Sequence, residues 1–130
     1  MATREEDWLR QAKRDLEHAR RALDDGDYEW SCFAAQQAAE KAVKALYQKL
    51  GADAWGHSVS MLLSNLPPSV HPEEALIEKA KELDMHYIPS RYPNSYSSGA
   101  PLDFYTRTGA ARVIGYAEEI IAFCEDKILR

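Results

Sequence analysis

Long apolar runs are missing from this 130-residue sequence. No stretch approaches the ~20 consecutive apolar residues that a membrane-spanning helix needs, so no membrane role is expected. Cysteine is scarce. Cys32 and Cys124 stand far apart inside helical patterns and read as small buried hydrophobes in a reducing compartment, with a disulfide between them as the alternative. Positive charge is in deficit: 16 Lys and Arg against 21 Asp and Glu leave −5, which argues against a protein that coats nucleic acid nonspecifically. The opening Met1–Asp7 is charged and has no apolar signal region behind it, so the expected location is the cytoplasm.

Several catalytic signatures are absent as well. There is no glycine-rich phosphate loop, no paired metal-binding cysteines, no His-Glu-x-x-His helix and no Gly-x-Ser-x-Gly elbow. The four histidines, His18, His57, His71 and His86, have no ligand spacing, so neither a metal nor a cofactor is expected. No segment alternates apolar and polar residues as a half-buried strand would.

What the sequence does have is helical periodicity on a scale suited to one domain over residues 1–130. Apolar residues at 45% and charged residues at 28% are ordinary for a globular chain. Thr3 and Glu6 have the spacing of a capping box. Trp8, Ala12, Leu16, Ala19 and Leu23 then mark one face of a first helix, stopped by Asp24-Asp25-Gly26-Asp27. So short a connection predicts an antiparallel return. The second helix spans Tyr28 to Leu50 and ends at Gly51. It is apolar around most of its circumference, with Trp30, Phe33, Ala34, Ala38, Ala45 and Leu46 on one side and Cys32, Ala35, Ala39, Val43 and Leu50 on another, the pattern of a central helix. A short helix over His57 to Ser64 is closed by Leu66-Pro67-Pro68. Pro72 suits a first helical position, and Leu76, Ala80, Leu83 and Tyr87 give the face of the helix that follows. The last helix begins near Thr106 and runs almost to Arg130, burying Ile114, Ala117, Ile121, Cys124 and Ile128. The fold class is all-α, a helical bundle.

Ile88 to Tyr105 breaks the pattern, with three prolines, Gly99 and four serines. Connections this long in compact domains usually bind or gate something. Tyr87, Tyr92, Tyr96 and Tyr105 lie in or beside it. Arg91, Arg107 and Arg112 against Asp103 give a local +2 over residues 87–112. Two roles are open to these residues. Arginine among aromatics can hold a phosphate while rings stack on a base, or the tyrosines can peg the loop onto the bundle.

His57 can cap the short helix or meet an anion at its start. His86 can act as an acid or base at the mouth of the loop, or as a cation at a helix C-terminus. On the second helix Gln37, Lys41 and Lys44 share a face, and Glu40 with Lys44 has the spacing of an ordinary solvated pair. Gln36 and Gln37, within an alanine-rich run, need polar partners at an interface or in a pocket.

Three segments together resemble the HEPN family, the higher eukaryotes and prokaryotes nucleotide-binding domain. They are Trp8-Leu9-Arg10-Gln11-Ala12 with Asp15-Leu16, the run from Cys32-Phe33-Ala34-Ala35-Gln36-Gln37 through Glu40-Lys41-Ala42-Val43-Lys44-Ala45-Leu46, and Leu83-Asp84-Met85-His86-Tyr87-Ile88-Pro89-Ser90-Arg91-Tyr92-Pro93. The resemblance covers nearly the whole chain, and the second-helix run is its most specific part. It implies an up-and-down antiparallel bundle of four long helices plus one short helix, usually as a homodimer. It also implies small prokaryotic proteins often encoded beside a minimal nucleotidyltransferase in toxin–antitoxin-like pairs.

Many members of that family are metal-independent ribonucleases that carry an arginine followed, after a gap of four to six residues, by a histidine. Here the permitted gap after Arg91 ends on Tyr96, Ser97 or Ser98. Arg14 and His18 are too close, and Arg10 and His18 too far apart. An ordinary tyrosine, with a pKa near ~10, is a poor base at neutral pH, so ribonuclease activity is not carried over. The expectation is a dimeric module that binds nucleotide or RNA through Arg91, Tyr92, Tyr96, Tyr87, Lys41 and Lys44, with no catalytic residue assigned. The alternatives are a metal-independent ribonuclease reorganised around His86 or His57, and a pure protein-interaction module.

Overall fold

The acidic first turn and the stripe of small residues behind it fix where the chain begins to coil. In the computed structural model, which describes residues 3–130, α1 covers Glu5–Asp25 and buries Ala12, Leu16, Ala19 and Ala22. Glu5, Glu6 and Asp7 sit at its positive N-terminal end. The capping box expected from Thr3 and Glu6 does not form. The N-cap is Arg4, which puts Thr3 one residue too early, and its hydroxyl donates to the Glu5 carboxylate instead. Gly26 ends the helix at φ +83°, a left-handed conformation that costs glycine nothing, and its N–H returns to the carbonyls of Ala22 and Leu23.

α2, Tyr28–Lys49, is the central helix. Ala35, Ala38, Ala39, Ala42, Val43, Ala45 and Leu46 are wholly buried in it, and their small size lets the neighbouring helices approach closely. Two of its apolar residues stay out of the core: Trp30 is 51% exposed and Phe33 is half-buried. α3 (Val59–Ser64), α4 (Glu74–Asp84), α5 (Pro101–Phe104) and α6 (Arg107–Leu129) complete the bundle.

Polar ties between helices give the topology. Ser31 Oγ donates to the Ala19 carbonyl at 2.8 Å, Lys41 pairs with Asp15 at 2.5 Å, and the Arg4 N–H donates to Gln48 Oε1 at 3.2 Å. These ties run down α1 as they run up α2, so the two are antiparallel. Lys13 with Glu125 and Arg20 with Glu118 set α6 antiparallel to α1, while Lys79 with Glu119 and Glu82 with Arg112 set α4 antiparallel to α6. The four long helices therefore alternate up and down. No helix of the described residues is long and apolar enough to cross a membrane.

Three local expectations shift. Pro72 lies ahead of the Glu73 N-cap of α4 rather than inside the helix. Tyr87 falls beyond the end of α4, on a chain already tightening into turns. The long loop contains a second short helix, α5, started by Pro101 and tied by the Ala100 N–H to Asp103 Oδ2 at 2.9 Å. Cys32 and Cys124 are buried free thiols. Burial pushes the Cys32 thiol up to about 12 and raises Cys124 as well, leaving both protonated and inert.

Candidate functional site

α3 is too short to hold itself, and what holds it also positions His57. Ser58 is its N-cap, accepting from the Met61 N–H at 3.2 Å. The Asp84 carboxylate at the end of α4 accepts from the backbone N–H groups of Val59 at 2.6 Å and Ser60 at 3.2 Å, and from the hydroxyls of Ser58 at 2.9 Å and Ser60 at 2.5 Å. Tyr47 donates to the Leu62 carbonyl at 2.6 Å and fastens the same helix to α2. His57 is thus not a cap. It precedes the capping serine and turns towards α2, with Nδ1 at 3.1 Å from Glu40 Oε1.

Glu40 is only 4% exposed and is the hub of a polar network on α2. Lys44 Nζ donates to its Oε2 at 3.2 Å, and Gln36 Nε2 lies 3.3 Å from its Oε1 and 3.0 Å from the His57 carbonyl. Gln37 Nε2 in turn donates to Gln36 Oε1 at 2.8 Å. The Glu40–Lys44 couple expected to be solvated is instead nearly sealed, with His57 and Gln36 against the carboxylate and the Trp8 ring centroid 6.0 Å from Lys44 Nζ. Two buried charges stay ionised at modest cost only when paired and hydrogen-bonded, as here.

His57 stacks on Tyr87, with ring centroids 4.5 Å apart and planes 16° from parallel. Since a carboxylate only accepts, Glu40 fixes the proton on Nδ1 and leaves Nε2 outward with no bond among the described residues. Arg91 meets the other side of this cluster. Its Nε donates to the Tyr87 carbonyl at 2.9 Å, and its Cζ lies 4.3, 4.9 and 5.2 Å from the ring centroids of Phe33, Tyr87 and Tyr92. No carboxylate among the described residues comes within ion-pairing distance of Arg91. Phe33 and Tyr87 are themselves 6.2 Å apart.

The structure therefore brings together Arg91, Tyr87, Tyr92 and His57, and adds Phe33 and Glu40, which the sequence reading did not place there. Lys41 and Lys44 are close by on α2, but Asp15 and Glu40 already neutralise them. Tyr96 and His86 belong to a separate cleft of about 400 Å³. Tyr96 stacks on Phe104 at 4.4 Å and donates to the Pro89 carbonyl at 3.0 Å, which pegs the loop. His86 Nδ1 lies 2.9 Å from the Tyr105 hydroxyl. Burial lowers the His86 pKa, opposite to what a cation at a helix C-terminus would show, and raises that of Tyr105, so Tyr105 donates and a neutral imidazole accepts. The local +2 of residues 87–112 is also smaller in space. Arg112 pairs with Glu82 of α4 at 2.8 Å, outside that segment.

The class this fold and cluster define is found among known proteins. The HEPN domain model matches residues 5–127, and the chain belongs to the HEPN domain family. TT1696 from Thermus thermophilus is 48% identical, with a TM-score of 0.94 over 97% of this chain and 99% of that one. ST0689, an archaeal HEPN homologue, is 45% identical, with a TM-score of 0.80 over 98% and 99%. A curated relative, "Putative toxin MJ1304" of Methanocaldococcus jannaschii, is 30% identical over 92% of this chain and 84% of its own length.

Proposed function

We propose that this chain is the HEPN partner of a toxin–antitoxin-like system, a homodimer that binds nucleotide or RNA through Arg91 and its aromatic neighbours, working with a nucleotidyltransferase partner protein. The family assignment and the toxin-named relative support the system-level reading. The observation that carries the ligand is Arg91. A guanidinium that keeps its charge free of any carboxylate, while Phe33, Tyr87 and Tyr92 hold it in place, suits a phosphate. Tyr92, 48% exposed, offers a face on which a base can stack. Exposed Met85, Leu102 and Phe104 leave apolar surface for a second copy.

One observation favours a second reading, metal-independent RNA cleavage. The Glu40–His57 pair leaves a free Nε2 on a ring stacked against Tyr87, whose own ring centroid lies 4.9 Å from the Arg91 guanidinium, and a histidine so held by a carboxylate has the arrangement of an oriented base. In that reaction Nε2 takes the proton of a ribose 2′-hydroxyl, its oxygen bonds to phosphorus, and the 5′ oxygen leaves and takes a proton from water.

End-labelled RNA incubated with the protein in EDTA, then split between native and denaturing gels, tests both. An intact RNA shifted by wild type and not by Arg91→Ala is the expected result. Cleavage lost in His57→Asn would install the enzyme reading, whereas RNA neither cut nor shifted would remove both. Sedimentation of the same protein at micromolar concentration is expected to give two chains per particle, and a monomer would take the dimer out of the proposal.

A further inference from the structure

Resting on that reading of Arg91, we infer that the cleft between α1 and α2 is an adenine subsite, with Gln37 reading the base edge and Trp30 stacking on its face. The cleft holds about 240 Å³ and is lined by Trp30, Phe33 and Gln37 over the Asp15–Lys41 pair. That is below the ~300–1,000 Å³ of pockets that enclose a whole drug-sized ligand. It has room for one flat ring system, with the rest of a nucleotide outside.

Phe33 joins this cleft to the Arg91 cluster, since its ring lines the cleft and also lies 4.3 Å from the guanidinium carbon. A phosphate on Arg91 would therefore leave its own nucleoside beside the cleft mouth. Trp30 stands edge-on to Phe33, with centroids 6.1 Å apart and planes at 81°, and is 51% exposed where a core tryptophan would be covered. Its face is available for stacking, which is worth more for a purine than for a smaller ring.

The hydrogen-bond network fixes which way Gln37 faces. Glu40 Oε1 and the His57 carbonyl can only accept, so the Gln36 amide nitrogen must point at them. Gln36 Oε1 is then the acceptor for Gln37, and the Gln37 nitrogen must face it. Gln37 keeps one N–H and its Oε1 without a bond among the described residues. A free donor beside a free acceptor on a planar amide matches the edge of adenine, accepting from N6–H and donating to N7, and a pyrimidine edge that pairs in the same way offers Trp30 a smaller ring to stack on. The N7 and O6 edge of guanine presents two acceptors and would set O6 against Oε1. The glutamine is also held rigidly, because its partner chain ends on the buried Glu40.

The test is equilibrium binding of AMP, GMP and UMP, and of the RNA hexamers A6 and U6, to wild type, Gln37→Leu and Trp30→Ala, with melting curves for each variant. Wild type is expected to prefer AMP over GMP and UMP, and A6 over U6, by about tenfold. Gln37→Leu should bring A6 down to the U6 level while leaving U6 binding unchanged. Trp30→Ala should weaken both hexamers, A6 more. AMP binding as tightly as A6 would point to a free nucleotide, and A6 binding far more tightly to RNA; either supports the subsite. Binding that depends on Arg91 but shows no base preference, or a preference that survives Gln37→Leu in a folded protein, would overturn the subsite and leave the phosphate role standing. If no nucleotide or RNA binds at all, both fall.

Discussion

The hydrogen bond between Tyr105 and His86 has a consequence for stability because burial keeps the imidazole neutral. Glu82 and Arg112 act on it in opposite senses, and desolvation prevails. A histidine whose pKa is lower in the folded chain than its unfolded ~6.5 binds fewer protons when folded. Stability is therefore intact above about pH 7 and is lost as pH falls through the unfolded pKa towards the folded one. The melting midpoint of wild type should drop between pH 7.5 and pH 5, and His86→Asn, which still offers an acceptor to Tyr105, should flatten that slope. Equal slopes would rule His86 out as the source. At this scale the sequence shows which residues carry chemistry but not which are already spent. Lys41 and Lys44 look available on a helical wheel, yet their partners are Asp15, 26 residues away, and a glutamate that is itself buried against His57. Arg91 is distinguished from Arg112 only by what surrounds it in space.

Among the elements, α3 is the one most dependent on the rest. Six residues cannot sustain a helix in water, and the Asp84 carboxylate, with its four bonds, supplies what the segment lacks. Asp84→Ala should cost about 3 kcal/mol, read as a fall of roughly 10 °C in the melting midpoint. Asp84→Asn, which keeps the shape and one acceptor, should cost less. An alanine variant that melts with wild type would show that α3 is held by its apolar residues alone. Such a loss should also loosen His57, because the same contact sets the start of α3 beside Glu40. The long helices are legible because each has a sustained apolar face and a clear stop, such as Gly26. The cap from Asp84 is not, since 25 residues separate it from Val59 and local capping rules do not reach that far. α5 is hidden for a related reason: four residues are too few to show a period.

For the whole molecule, the alternation of four long helices and the central place of the alanine-rich α2 follow from residue spacing and short connections. The site does not. It assembles from α2, the turn before α3 and the loop after α4, and only the last of these stands out in the sequence. A helix apolar on most sides reads as buried, which puts Trp30 and Phe33 in the core, yet they border the site. An acidic chain can still bind a polyanion if one cation is left unpaired where aromatic rings can share the load. Arg91 is that cation, and the proposed function stands on it.

Arg91→Met tests this most directly, because the variant keeps an unbranched apolar stem against Phe33, Tyr87 and Tyr92 while removing the charge and its donors. Binding of single-stranded RNA is measured across a salt series, beside a melting curve. The predicted result is an affinity at least tenfold lower, a salt slope shallower by about 0.7 for one lost phosphate contact, and a stability loss of no more than about 1 kcal/mol. Unchanged affinity and an unchanged salt slope in a folded variant would contradict the claim.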